Sequence, residues 1–171
     1  MWLPNAPFAE VHRIQIAAPA AIVFRHVQTL DFRGSWVIWI LFRLRGLPTR
    51  QINIASFQRL RFTLLRLEEN KLLALGLIGH FWKLTGDLQQ FQPHELETFS
   101  TPGYAKAVWT FELQSIEPHR TELVTETRIA CTDAASERHF RKYWWLIRPF
   151  SGWIRKEILR LIKAAAERTP A

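Results

Sequence analysis

Glu10 and His12 stand two residues apart in EVHRIQI. In an extended chain that spacing puts both side chains on one face, together with Ile14 and Ile16. A carboxylate beside an imidazole can orient the ring and exchange a proton. The pair is therefore the leading candidate for general acid/base work, or for a polar anchor that holds a ligand. The plainer alternative, favoured because ionisable groups are seldom buried, leaves both in solvent at the frayed start of a strand. Contact inside a pocket would support an enzyme; splaying into solvent would remove its best candidates.

Other residues offer weaker chemistry. His80, between Gly79 and Phe81 in an apolar run, either projects into a cavity or is a satisfied rim histidine. Tyr104 beside Gly103 could present its hydroxyl to a ligand carbonyl, or pack on a neighbour. Trp109 and Phe111 share a strand face with Ala105, Ala107 and Leu113, and would meet either a ligand or a covering helix. Cys131 has no basic pair beside it and reads as a small apolar residue. Ser56 and Ser151 lack a G-x-S-x-G context, and the six histidines form no H-E-x-x-H and no i, i+4 pair. No G-x-G-x-x-G or Walker loop is present, so neither metal nor nucleotide cofactor is expected.

Composition narrows the setting. Eight tryptophans among 171 residues exceed what a minimal core needs and suggest large side chains lining something. The single cysteine rules out an internal disulfide and fits a reducing compartment. No basic segment followed by an apolar one opens the chain, so the cytoplasm is the expected location. WVIWILF, residues 36–42, is too short to span a bilayer and is followed by Arg43 and Arg45, leaving a core segment, an interfacial one or a cover over something apolar. A net charge of +8 raises nucleic acid, anionic lipid and acidic metabolites as partners. In HFRKYWWLIRPFSGWIRKEILRLIK the cations interleave with Trp144, Trp145 and Trp153. Either one face of this segment grips a sheet and the cations are its solvated back, or it lies on an anionic membrane. Nucleic acid is not the expected partner.

These residues need elements to place them. Alternation predicts a strand over Glu10 to Ala17, ended by Pro19, then a short helix carrying Ile22, Val23, His26, Val27 and Leu30. A second short helix is expected over the 36–44 stretch, stopped by Gly46 and Pro48. From Phe57 to Cys131 a period of two predicts successive antiparallel strands: FTLLRLEE, LLALGLIGHFW, Leu88 to Pro93, HELETFS, YAKAVWTFELQSIE and TELVTETRIACT. One sheet face should be wet and the other covered. Thr132-Asp133 should cap a helix from Ala134 to about Arg168, kinked or split at Pro149 and Gly152. No linker divides the chain, so one domain over 1–171 is expected, with residues 1–7 a loose tail.

IQIAAPAAIVFRHV, LGLIGHFW, PGYAKAVWTFEL, TELVTETRIACTD and FRKYWWLIRPFSGWIRKEILRLIK resemble uncharacterised bacterial members of the START-like superfamily, which includes polyketide cyclases and Bet v 1-type carriers. The resemblance runs from Phe8 to Arg168. It implies an α+β helix-grip fold: about seven antiparallel strands curved around a long C-terminal helix, with two short helices after the first strand. It also implies an apolar cavity between sheet and helix, with Trp36 to Leu44 as its cover. The expected lining is Trp39 and Phe42 from the cover, Leu77, His80, Tyr104, Trp109, Phe111 and Thr127 from the sheet, and Trp144 from the helix. The expected function is binding of a hydrophobic or amphipathic small molecule of lipid, polyketide or aromatic type. The alternatives are a cyclase or hydratase using Glu10 and His12, and a membrane-surface module using the basic helix.

Overall fold

The computed structural model describes residues 2–29, 61–83 and 86–170. Strand β1 is Phe8–Ile16, and helix α1, Ala20–Thr29, starts where the Pro19 carbonyl accepts from the Ile22 and Val23 amides. Strands β2, Thr63–Glu68, and β3, Leu72–Gly79, turn through Asn70 at φ 58°, a left-handed value that asparagine tolerates. A one-turn helix α2, Glu95–Thr98, precedes β4, Ala105–Glu117, and β5, Arg120–Cys131. Helix α3, Ala134–Ala166, ends the fold. All pairings are antiparallel, in the order β1-β5-β4-β3-β2.

Register sorts the side chains into rows, because directly opposed residues share a face. Glu10, Thr127, Trp109 and Leu75 form one row, and His12, Thr125, Phe111 and Leu73 the next. Both rows face α1 and α3. Against them α1 sets Val23, Phe24 and Val27, and α3 sets Ile158, Leu159 and Ile162, all buried. A second core cluster joins Phe8 and Ile129 to Phe140 and Trp144 near the start of α3.

Asp133 caps α3 as expected and does more. One carboxylate oxygen accepts from the Ser136 amide at 2.8 Å, while the other accepts from the Ser136 hydroxyl at 2.7 Å and the Gly103 amide at 2.6 Å. Ser136, through side chain and then backbone, followed by Gly103, holds this carboxyl well below the usual carboxylate range. A carboxylate depressed in the folded state contributes stability above the unfolded pKa of about 3.9, and that contribution drains as pH falls toward the folded value. Asp133→Ala should lower Tm by about 2–4 °C at neutral pH. The deficit should shrink in melts below pH ~3; a deficit independent of pH would remove the charge from this account.

Several expectations need correction. Among the described residues the sheet has five strands, not about seven. HELETFS is not a strand: Leu96 and Phe99 lie three apart and pack together as one helical turn would place them, and the E-L-E alternation is coincidental. Leu88 to Pro93 forms no strand: its backbone bridges the sheet only at Gln89 with Ile78, after a turn with positive φ at Gly86 and Asp87, and the Phe91 carbonyl accepts from the Thr63 hydroxyl. The second short helix, with Trp39 and Phe42, lies outside the described residues. The outer face is only partly wet, because Ile78 and Val108 are buried there beneath Leu3 and Leu96. Leu3 is 8% exposed, so the segment expected as a loose tail packs against the sheet. Of the expected kink or split at Pro149 and Gly152, the split does not occur: α3 is one helix through both.

Candidate functional site

Where α3 crosses the edge strand β1, Glu10 and His12 meet. His12 Nε2 lies 2.8 Å from Glu10 Oε1, with side-chain exposures of 17% and 11% respectively. The pair is therefore not splayed into solvent. Alternation in β1 aims both at α3, and Gly152 permits the approach. A Cβ at Gly152 would lie 2.5 Å from Glu10 Oε1 and 3.5 Å from His12 Nε2. The groove here, about 350 Å³, is lined by Glu10, His12, Arg148, Pro149, Gly152, Trp153 and Lys156.

Arg155, one turn after Gly152, reaches the same sheet row. Its Nη2 donates to Thr127 Oγ1 at 2.5 Å, its Nη1 donates to Ser151 Oγ at 3.1 Å, and its guanidinium carbon stands 5.8 Å from the Trp109 ring centroid. Trp109 in turn donates from Nε1 to Thr125 Oγ1 at 2.7 Å. Burial pulls the Arg155 guanidinium down to about 10, against the opposing attraction of Glu10. Two atoms of this cluster, Glu10 Oε2 and Arg155 Nε, are buried without a hydrogen-bond partner in the protein. Each such atom costs about 1–3 kcal/mol, more when charged. Together they leave one acceptor and one donor unsatisfied inside the cluster.

The sequence-derived candidates separate into two groups. Thr127, Trp109 and the Glu10–His12 pair belong to the cluster. Phe111, 1% exposed, and Trp144, 9% exposed, are packed into the core, with Trp144 stacked on Phe140 at 5.9 Å. Leu77 is half-buried on the same sheet face, opposite Ala107. His80 and Tyr104 do not join Glu10 and His12. Their rings stack at 4.2 Å, the Tyr104 hydroxyl donates to Asp87 Oδ2 at 2.8 Å, and His80 Nδ1 lies 3.3 Å from that same oxygen. That hydrogen bond to Asp87, chiefly, raises the Tyr104 pKa. Burial, with Glu137 and Asp133 adding, pushes the Cys131 thiol up to about 12, which makes it a poor nucleophile. Among the described residues no group of three or more His, Cys, Asp or Glu could hold a metal ion.

Sequence reasoning missed Arg155, which it placed among the solvated cations. The signal was there: Arg155 lies three residues before Ile158 and four before Leu159, on the stripe that grips the sheet.

Gly152→Ala tests the close approach. Helix propensity would favour alanine by about 1 kcal/mol, while displacing Glu10 from His12 would cost about as much or more. Tm should change by only a few degrees, whereas the His12 ring resonances in ¹H–¹³C NMR spectra should move. Unmoved His12 resonances with a full gain in stability would contradict the contact.

No protein-family profile and no curated protein matches the chain. Solved structures do. Protein MLL2253 from Mesorhizobium loti is 12% identical, with 96% of this chain and 100% of that one covered and a TM-score of 0.47. Hypothetical protein jhp0584 from Helicobacter pylori is 7% identical, with 96% and 92% covered and a TM-score of 0.46. The Zhui aromatase/cyclase from Streptomyces sp. R1128 is 14% identical, with 94% of each chain covered and a TM-score of 0.35. The functional reading therefore has to come from this chain's own side chains.

Proposed function

We propose that the protein is a helix-grip protein that binds an amphipathic small molecule where α3 crosses β1, with the ligand's polar end at Glu10, Arg155 and Thr127. One observation carries the reading: the buried, unpartnered Oε2 of Glu10, opposite Thr127 on the sheet, and the buried, unpartnered Nε of Arg155, whose Nη2 donates to Thr127. A lone acceptor and a lone donor are both satisfied by a ligand with a hydroxyl beside a carbonyl, such as a hydroxy ketone or a polyketide-like chain. The apolar remainder would gain about 25 cal/mol for each Å² removed from water, before ordering costs.

The Glu10–His12 contact favours a second reading on the same site. With Nε2 engaged by Glu10, His12 would exchange a proton with a bound carbonyl compound through Nδ1, as acid/base catalysis of a cyclisation or dehydration requires. Binding is the primary reading, because it needs only the groups already in place.

A thermal-shift titration with an alkyl 2-hydroxyaryl ketone and its O-methyl ether separates these groups from general greasiness. The hydroxy ketone should raise Tm more than the ether, by an amount equivalent to at least tenfold in affinity; Glu10→Ala should abolish the difference, and Arg155→Met should weaken both compounds alike. Equal shifts for both compounds in wild type, or an undiminished difference in Glu10→Ala, would overturn the proposal. Turnover of the hydroxy ketone or a related open-chain polyketone by wild type, lost in His12→Gln, would move the assignment to catalysis.

A further inference from the structure

Helix α3 is apolar on two opposite sides. Phe140, Trp144, Ile158, Leu159 and Ile162 face the sheet and are buried. On the far side Trp145 is 82% exposed, Leu146 62%, Phe150 50% and Trp153 49%. At 100° per residue these four fall on one stripe centred opposite the buried one. Packing against this chain's own sheet does not account for it. Exposed cations lie along one side of it at Arg141, Lys142, Arg148 and Lys156. Large aromatic and aliphatic side chains on a helix surface, with lysine and arginine alongside, suit the boundary of an anionic bilayer. There the rings enter the acyl boundary and the cations meet phosphates.

We propose that the outer stripe of α3, centred on Trp145 and Phe150, docks on the surface of an anionic phospholipid bilayer. Charge complementarity selects this occupant over a neutral apolar partner: four exposed cations line one side of the stripe, and the chain carries +8 overall. No helix among the described residues is long and apolar enough to cross a membrane, so the contact is one of surface attachment. The stripe continues into the groove beside Glu10 and His12, which Arg148, Trp153 and Lys156 also line. A docked helix would thus hold the groove at the lipid boundary. The docking proposal stands apart from the identity of any groove ligand.

Co-sedimentation of the full chain with phosphatidylcholine–phosphatidylglycerol vesicles, and with pure phosphatidylcholine vesicles, tests it. Wild type should bind the mixed vesicles at low salt, lose most of that binding at high salt, and bind the neutral vesicles weakly. Lys142→Glu should weaken binding about 30-fold, from two charge units near the surface. Trp145→Ser should weaken it about tenfold or more, with Tm and far-UV circular dichroism unchanged in both variants. Absence of binding to mixed vesicles at low salt, or binding indifferent to both substitutions, would overturn the proposal. So would concentration-dependent self-association in sedimentation velocity that Trp145→Ser abolishes while vesicle binding is absent, since a second copy would then be the occupant.

Discussion

Phe140→Ala is expected to lower the folding free energy by about 4 kcal/mol. Phe140 is 1% exposed and is the hub of an aromatic group: Phe8 meets it edge-on at 4.9 Å, Trp144 stacks at 5.9 Å, Tyr143 lies at 5.8 Å, and Phe81 and Trp82 approach edge-on at 6.3 and 6.2 Å. These contacts tie the first half of α3 to the start of β1 and to the segment after β3. Truncation removes both the transfer free energy of a phenyl ring and the packing of five rings around it. Against a typical total of 5–15 kcal/mol, the loss would leave a readily unfolded protein. Urea denaturation followed by far-UV circular dichroism measures it, and Phe150→Ala is the control. Phe150 is 50% exposed on the same helix and should cost no more than about 0.5 kcal/mol. Comparable losses for the two would mean that Phe140 is not the hub described.

The second large effect is an asymmetry at the site. Glu10→Gln should cost about 2–3 kcal/mol, because it leaves the buried Arg155 without its opposing charge and weakens the bond to His12. Arg155→Met should cost less than about 1 kcal/mol, since it removes the desolvation penalty and the unpartnered Nε together with the hydrogen bonds to Thr127 and Ser151. In the double variant the penalty of Glu10→Gln should largely vanish, a coupling of at least 1 kcal/mol. Equal single effects that simply add would show that the two residues are independent. The predicted pattern has a functional side: an arginine that contributes little to stability and still occupies the interior is placed for something other than folding.

Much of the fold could be read from period and punctuation. Alternation placed Glu10 and His12 on one face, Asp133 was legible as a cap from its position before a helical run, and the β2–β3 and β4–β5 turns fall at Glu69-Asn70 and around Pro118-His119. The failures have physical causes. HELETFS alternates in polarity over too few residues to separate a strand from one helical turn, and only its contact with Ile78 and Val108 decides. Arg155 was passed over because composition groups it with the nearby Lys156 and Arg148, although its spacing to Ile158 and Leu159 puts it on the side of α3 that meets the sheet. Gly152 suggested a break in the helix. In the structure it instead marks where another chain segment comes too close for a Cβ.

The strand order has a consequence in time. Among the described residues β1 lies at the sheet edge and pairs only with β5, and the seam is tied by bonds between residues far apart in sequence. The Thr121 hydroxyl donates to the Ala18 carbonyl across 103 residues, and the Ala17 amide donates to Glu167 across 150. During synthesis β1 is made early, while its partner among the described strands, β5, emerges late, so its apolar face waits through most of elongation. Closing so long a loop is slow, and the β2–β3 and β4–β5 hairpins, each closed by a short turn, can form ahead of it. The seam that closes last is the one where Glu10, Gly152 and Arg155 converge. The groove is thus assembled only as folding finishes, and a ligand that grips it selects for chains whose sheet is complete.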